Sequence, residues 1–272
     1  GGALYSFPPM DTLGVTLRRR TLWIGFLAAF LPLLLLVGLQ YWGLTRLEEA
    51  SSLAGRAVLA NLLDAIATDV MYAYAPAAER ALDVPASVFT EERFAHAPRF
   101  FRQRQVEGAR QFFAVRFIGP DDESMLFYDP RRDVAEAAVP SAATRAVTVA
   151  CAPWRLMHAK AIDVETGRLV VEERDPENRI VLAPVVDRVG HVVGVAGLIL
   201  DSDYFRSEVL PRTVKASVAK LAAAGAGIGV TVSVRDERGN PWFATDPKDN
   251  APPDVSRPLS FVFTALRLAA RN

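Results

Sequence analysis

The chain has 272 residues, with 31 basic and 31 acidic side chains, one cysteine and 51% hydrophobic residues. A single cysteine excludes an intrachain disulfide, so any folded region must be held by its own apolar core. After position 44 there are 28 basic and 30 acidic side chains, which is no polyanion-binding surface, so nucleic acid is not an expected partner.

Met10 is a plausible natural start, and Gly1–Pro9 is kept out of fold reasoning. Leu22–Leu44 holds no charged residue and is long enough, at ~1.5 Å per residue, to cross ~30 Å of hydrocarbon. In lipid its backbone must satisfy itself, so it reads as a transmembrane helix within 21–44. Its length and the lack of a small-residue cleavage site favour an anchor over a signal peptide. Arg18, Arg19 and Arg20 precede it, and a mixed flank (Arg46, Glu48, Glu49) follows. The positive-inside rule therefore puts residues 1–20 in the cytoplasm and 45–272 outside. The lipid bilayer is thus the first expected partner.

Thr45–Tyr74 reads as one long helix continuing from the span. Ala54, Val58, Leu62, Ile66 and Val70 recur at i+4, widened by Leu59 and Leu63. Such a helix can pack on its own domain or serve as a stalk pairing with a second copy, and a homodimer is expected. Ala77–Gln111 is helical with breaks, with short helices at Glu91–Phe94 and Arg99–Val106. Phe112–Ile118 and Met125–Tyr128 form a hairpin across Gly119–Asp122. Arg131–Thr144 reads as a short helix and loop, Ala146–Ala150 as a strand, and Leu169–Glu173 as a strand after a Thr166-Gly167 turn.

Ile180–Asp187 and His191–Leu200 form the clearest hairpin, its second arm central because it is nearly all apolar. Asp201 and Asp203 favour capping of a helix from Tyr204 over catalysis or metal binding. The helix restarts at Pro211, runs through Lys215–Ala224 and stops at Gly225–Gly229. Ile228–Arg235 and Trp242–Ala244 make another hairpin, Asp246–Pro258 is a loop, and Leu259–Leu268 is a final strand. The order is α+β, with helices on an antiparallel sheet.

No catalytic constellation stands out. Gly225–Gly229 follows a helix and precedes a strand, the wrong order for a dinucleotide loop. The three histidines, His96, His158 and His191, lack metal-ligand spacing, and G-x-S-x-G is absent. Neither a metal nor a cofactor is expected, and Cys151 reads as a buried small hydrophobe. Trp154–Lys160 mixes aromatic and basic groups, and is either a surface segment anchored by Trp154 or a grip on a small carboxylate.

The segment IVLAPVVDRVGHVVGVAGLILDSDYFRSEVLP resembles the strand–turn–strand–helix of bacterial extracytoplasmic PAS-like (Cache) sensor domains, with Asp201, Asp203, Tyr204 and Phe205 at the Asp-x-Asp-Tyr-Phe positions. LPLLLLVGLQYWGLTRLEEA resembles the first membrane helix of sensor histidine kinases. The resemblance implies a ligand-sensing region of a two-component receptor in the bacterial inner membrane, on a long helix leading into an antiparallel PAS/Cache-like sheet. A cyclase or chemoreceptor output, or an envelope interaction domain without signalling, are the alternatives. The expected second span, phosphoacceptor His-Glu and nucleotide box do not occur here, so the chain reads as part of a longer receptor.

Such domains hold small molecules between the sheet and its covering loops. The candidates with polar reach here are Arg116, Tyr128, Arg155, His158 and Lys160. Arg116 shares a strand face with Ala114 and Ile118 and needs a partner, either an acidic ligand or an internal carboxylate.

Overall fold

The computed structural model describes residues 12–119, 122–164, 168–224, 229–248 and 251–271, with side chains from Phe30 onward. By contact density the chain divides into two units, 1–56 and 57–272. In the first, the described apolar side chains are open: Phe30, Leu31, Leu33–Val37, Leu39, Tyr41, Trp42 and Leu44 are 47–72% exposed. This stretch belongs to a helix long and apolar enough, by length and composition, to cross a membrane.

That helix, α1, runs from Thr12 to Leu82. It passes the expected end near Tyr74 and continues through Pro76, because tertiary packing holds its last turns: Tyr74, Ala78, Ala81 and Leu82 are all buried. Arg104 Nη1 closes it by donating to Arg80 O at 2.8 Å and Asp83 O at 2.6 Å, serving carbonyls at a helix end. One-turn helices at Ala86–Phe89 and Phe94–His96 lead into α2 (Ala97–Arg102).

The six-stranded antiparallel sheet comprises β1 (Ala109–Phe117), β2 (Glu123–Asp129), β3 (Val134–Ala137), β4 (Val170–Glu172), β5 (Ile180–Val186) and β6 (Val192–Leu200), in the order β3-β2-β1-β6-β5-β4. Strands β6 and β1 are its centre, and both faces are covered. Phe112, Ala114, Val181, Ala196 and Leu198 pack with the α1 and α2 side. Phe113, Val115, Leu182, Val195 and Ile199 pack with Val147, Ala150 and Cys151 of α3 (Ala142–Ala159). Burial on both faces explains why β6 is apolar throughout rather than alternating.

After β6, Asp201 caps α4 (Ser202–Tyr204), accepting from the Asp203 and Tyr204 amides at 3.1 and 3.0 Å. A π-turn at Phe205–Val209 precedes α5 (Leu210–Ala223), where Pro211 cannot donate to the ladder. A second antiparallel sheet follows, of β7 (Thr231–Arg235), β8 (Pro241–Ala244), β9 (Val255–Pro258) and β10 (Arg267–Arg271), in the order β8-β7-β10-β9. It joins the same core as α1. Asp69 of α1 meets Lys220 Nζ at 3.3 Å, and Asp64 meets Arg257 at 3.5 Å.

The α+β architecture holds, but four local expectations do not, the first being the Asp246–Pro258 loop, whose end Val255–Pro258 pairs with β10 as edge strand β9. Ala146–Ala150 is helical, inside α3: Ser141 caps it, and Val147, Ala150, Cys151 and Trp154 form a core stripe at helical spacing. The 131–144 segment contains edge strand β3. Leu259–Leu266 is a loop rather than a strand, bent by left-handed residues at Phe261 and Phe263. The Gly119–Asp122 turn, the Thr166-Gly167 turn and the Gly225–Gly229 stop lie wholly or partly outside the described residues.

Candidate functional site

The five sequence candidates fall on two sides of the six-stranded sheet. Arg116 of β1 lies on the α1 side, between Ser124 of β2 and Gly194 of β6 in register. Its guanidinium sits over the Phe94 ring, 5.7 Å from the centroid. Its Nε is buried and finds no hydrogen-bond partner. Among the described residues no carboxylate pairs with it. Tyr128, on the same side, packs on Phe112 and donates to Asp133 Oδ1 at 2.9 Å.

Arg155 and His158 belong to α3, on the other side, and exposed Lys160 caps its end. Arg155 pairs with Glu123 at 3.7 Å. The His158 ring lies 5.6 Å from Phe117, and its Nδ1 is 2.7 Å from Val192 O. These three lie on or at the end of one helix, on the opposite side of the sheet from Arg116 and Tyr128. Cys151, on the inner face of α3, is fully buried, which pushes its thiol pKa up. Among the described residues no group of three or more His, Cys, Asp and Glu side chains is placed to hold a metal.

One concavity lies away from all five sequence candidates. A groove of about 500 Å³ runs between the last turns of α1 and the outer edge of β5. Its walls are Glu79, Arg80 and Asp83 of α1 and the loop after it, Leu82, Val84 and Ala86, facing Leu169, Ala183 and Val185. β4 pairs with Ile180–Leu182, and among the described residues no strand pairs with Ala183–Val186 on that side. Pro184 stands at that open edge and has no amide to offer, which blocks further strand addition. The groove therefore joins an apolar wall to charges of both signs, a setting for a small amphiphile rather than a peptide strand. Its one sequence signal is the short Leu169–Glu173 run set against the longer Ile180–Asp187.

A second polar cluster ties the chain together without a cavity. Glu107 accepts both arms of Arg212, at 2.9 and 2.8 Å, and the Tyr204 hydroxyl at 2.8 Å. The Arg212 fork, helped by Tyr204, holds the Glu107 carboxyl below its ordinary range. Tyr74 is buried nearby, and desolvation raises its phenol pKa.

No protein-family model matches the sequence, and no curated protein matches it. Among solved structures, the chain is similar to the sensory domain of the Campylobacter jejuni chemoreceptor Tlp3, solved with isoleucine bound, at 12% identity and a TM-score of 0.43, over 84% of this chain and 94% of that one. It is also similar to the periplasmic sensory domain of the Campylobacter jejuni chemoreceptor Tlp1, at 12% identity and 0.28, over 73% and 70%. A third is methyl-accepting chemotaxis protein X, at 12% and 0.30, over 83% and 97%. At such identities and scores these likenesses carry nothing about ligand or output.

Proposed function

We propose that this chain is the extracytoplasmic ligand-sensing region of a bacterial membrane receptor, and that a small amphiphilic molecule carrying both charges binds in the groove beside α1. The observation that carries this reading is the make-up of α1. One helix, Thr12–Leu82, holds an open apolar stretch suited to lipid and, from Leu59 to Leu82, the residues on which the sheets pack. A ligand in the groove touches the last turns of that helix and the edge of the six-stranded sheet together. If its affinity differs between two arrangements of these elements, it shifts their populations. Arg80 suits a carboxylate, Glu79 and Asp83 suit an ammonium, and Leu169 and Val185 suit an apolar tail. The anion reading of Arg116 is narrower, since it rests on one buried donor, Nε.

Arg18–Arg20 supports a cytoplasmic N-terminus. A histidine kinase is the finer reading of the output, supported by the resemblance of the membrane helix, with a chemoreceptor or a cyclase as the other outputs. Two experiments test the proposal. A reporter fused after Asn272 should be active only outside the cytoplasm, and cytoplasmic activity overturns the orientation. The full chain in nanodiscs should then be melted with free amino acids as probes. A binder at 100-fold over its Kd adds ~2.7 kcal/mol of stability. The Arg80→Glu/Asp83→Lys variant should lose that gain. A shift that survives the charge swap places the ligand elsewhere.

A further inference from the structure

Just past β4 a carboxylate holds the loop that links two strands of the four-stranded sheet. Glu173 accepts the Phe263 amide in a short hydrogen bond, the Thr264 amide at 2.8 Å and the Thr264 hydroxyl at 2.5 Å. The loop it holds, Leu259–Leu266 between β9 and β10, is bent the unfavourable way: Phe261 has φ 73° and Phe263 φ 58°. The left-handed region is disfavoured for bulky aromatic residues, so these positions persist only where their surroundings over-determine them. The surroundings are visible. The Phe263 ring stacks on Phe205, at the head of the π-turn, with centroids 3.9 Å apart and planes 10° apart, and Trp242 of β8 closes the cluster at 6.0 Å.

The other side of the Glu173 carboxylate faces a competitor. Arg179, at the start of β5, is only 7% exposed and lies over the Phe263 ring at 4.8 Å. Its Nη1 donates to Pro176 O at 2.5 Å and Ser202 Oγ at 2.9 Å. Its Nε is buried with no hydrogen bond among the described residues, 3.8 Å from Glu173 Oε1. Burial lowers the Arg179 pKa, opposed by Glu173 and then Asp175. One carboxylate thus stands between a strained loop that it hydrogen-bonds and a buried cation that it meets only as a long ion pair. A displacement of about 1 Å would bring Glu173 to ordinary hydrogen-bond distance from Arg179 Nε, at the expense of the loop amides.

We propose that Glu173 is a two-partner latch. It holds loop 259–266 in the bent form, and when it turns to Arg179 it frees the loop, so that movement of β4 reaches the four-stranded sheet. The gain of a charge-assisted bond to Arg179 and the relief of two left-handed residues oppose the loss of three hydrogen bonds, which is the balance a two-state element needs. Leu169 of the groove and Glu173 flank β4 at opposite ends, but the latch does not depend on what fills the groove.

Hydrogen exchange of the full chain in nanodiscs, read on peptides covering 259–268, tests this. Arg179→Met removes the competing partner, and exchange at the Phe263 and Thr264 amides should slow at least threefold. Glu173→Ala removes the clasp, and exchange there should rise tenfold or more while β1 and β6 stay protected as before. An unchanged or faster rate in Arg179→Met makes Arg179 a support rather than a competitor and overturns the latch. Should that variant not fold, Thr264→Val, at an exposed position, decides. It removes one donor from the clasp, so exchange at the Phe263 amide should rise at least threefold, and an unchanged rate sinks the proposal.

Discussion

Adding one methyl group to the central strand offers a sharp test of the core. Gly197 of β6 sits opposite Phe113 of β1 in register, on the α3 side of the sheet. A Cβ built there falls only 2.1 Å from Phe113 Cζ and under 3 Å from both Cε atoms. That ring is fully buried, tilted against Phe127 at 6.3 Å, in the same cluster as Val147 and Cys151 of α3. It cannot give way without moving Phe127 or the helix. Overpacking of this kind costs ~1–3 kcal/mol, and the rigidity of the ring puts Gly197→Ala near the upper end. Ala is intrinsically better than Gly in a strand by roughly 0.5–1 kcal/mol, which offsets a little of this.

For a folded region of this size each kcal/mol moves Tm by ~2–4 °C, so a loss of about 2–3 kcal/mol lowers Tm by ~4–12 °C. Thermal melting of the full chain in detergent, followed by circular dichroism, measures it. The decisive comparison is Gly197→Ala in a Phe113→Leu background. The smaller side chain leaves room, so the added methyl should cost little there, giving a coupling of about 2 kcal/mol. A Tm within ~2 °C of wild type for Gly197→Ala, or the same loss in both backgrounds, refutes the idea that the ring claims this space. Gly194 repeats the device on the other face, where Phe89 fills the place of its Cβ.

Val195→Asp places a carboxylate with no partner on a fully buried face of β6 and should cost several kcal/mol, and wild-type-like melting would contradict its central position. Arg116→Met exchanges a buried, unpaired donor for an apolar chain of similar reach. Ligand-free Tm should therefore hold or rise, and a marked fall would reveal a polar partner for the guanidinium. Glu107 has its folded pKa depressed, so its contribution is full above the ordinary carboxylate value of ~4.3 and is lost as pH falls through the folded value. Melting from pH 7 to pH 3 should thus show a shallower acid limb for Glu107→Gln than for wild type, and identical limbs would mean that the Arg212 fork contributes nothing.

The parts of this fold that were legible in sequence are those whose local pattern and tertiary role agree. Ile180–Leu200 reads as a central hairpin because both faces of β6 are covered, and Asp201 reads as a cap because its carboxylate bonds amides two and three residues on. Leu259–Leu266 shows the opposite case. Leu-Ser-Phe-Val-Phe-Thr-Ala-Leu alternates like a strand, and its aromatic and β-branched residues favour one. What bends it is remote: Glu173, 90 positions earlier, takes the Phe263 amide, and Phe205 takes its ring. The Ala146–Ala150 segment misleads for a milder reason, since Val-Thr-Val suits a strand over five residues and becomes helical only when Ser141 and Trp154 enter the window. The groove escapes notice because it is a length mismatch between β4 and β5, a property of pairing rather than of any residue. The two candidate devices, the groove and the latch, therefore both hang on β4, a strand of three residues. A strand that short is held by few ladder bonds, so it can shift at lower cost than β1 or β6, and a moving part between ligand and output needs that property.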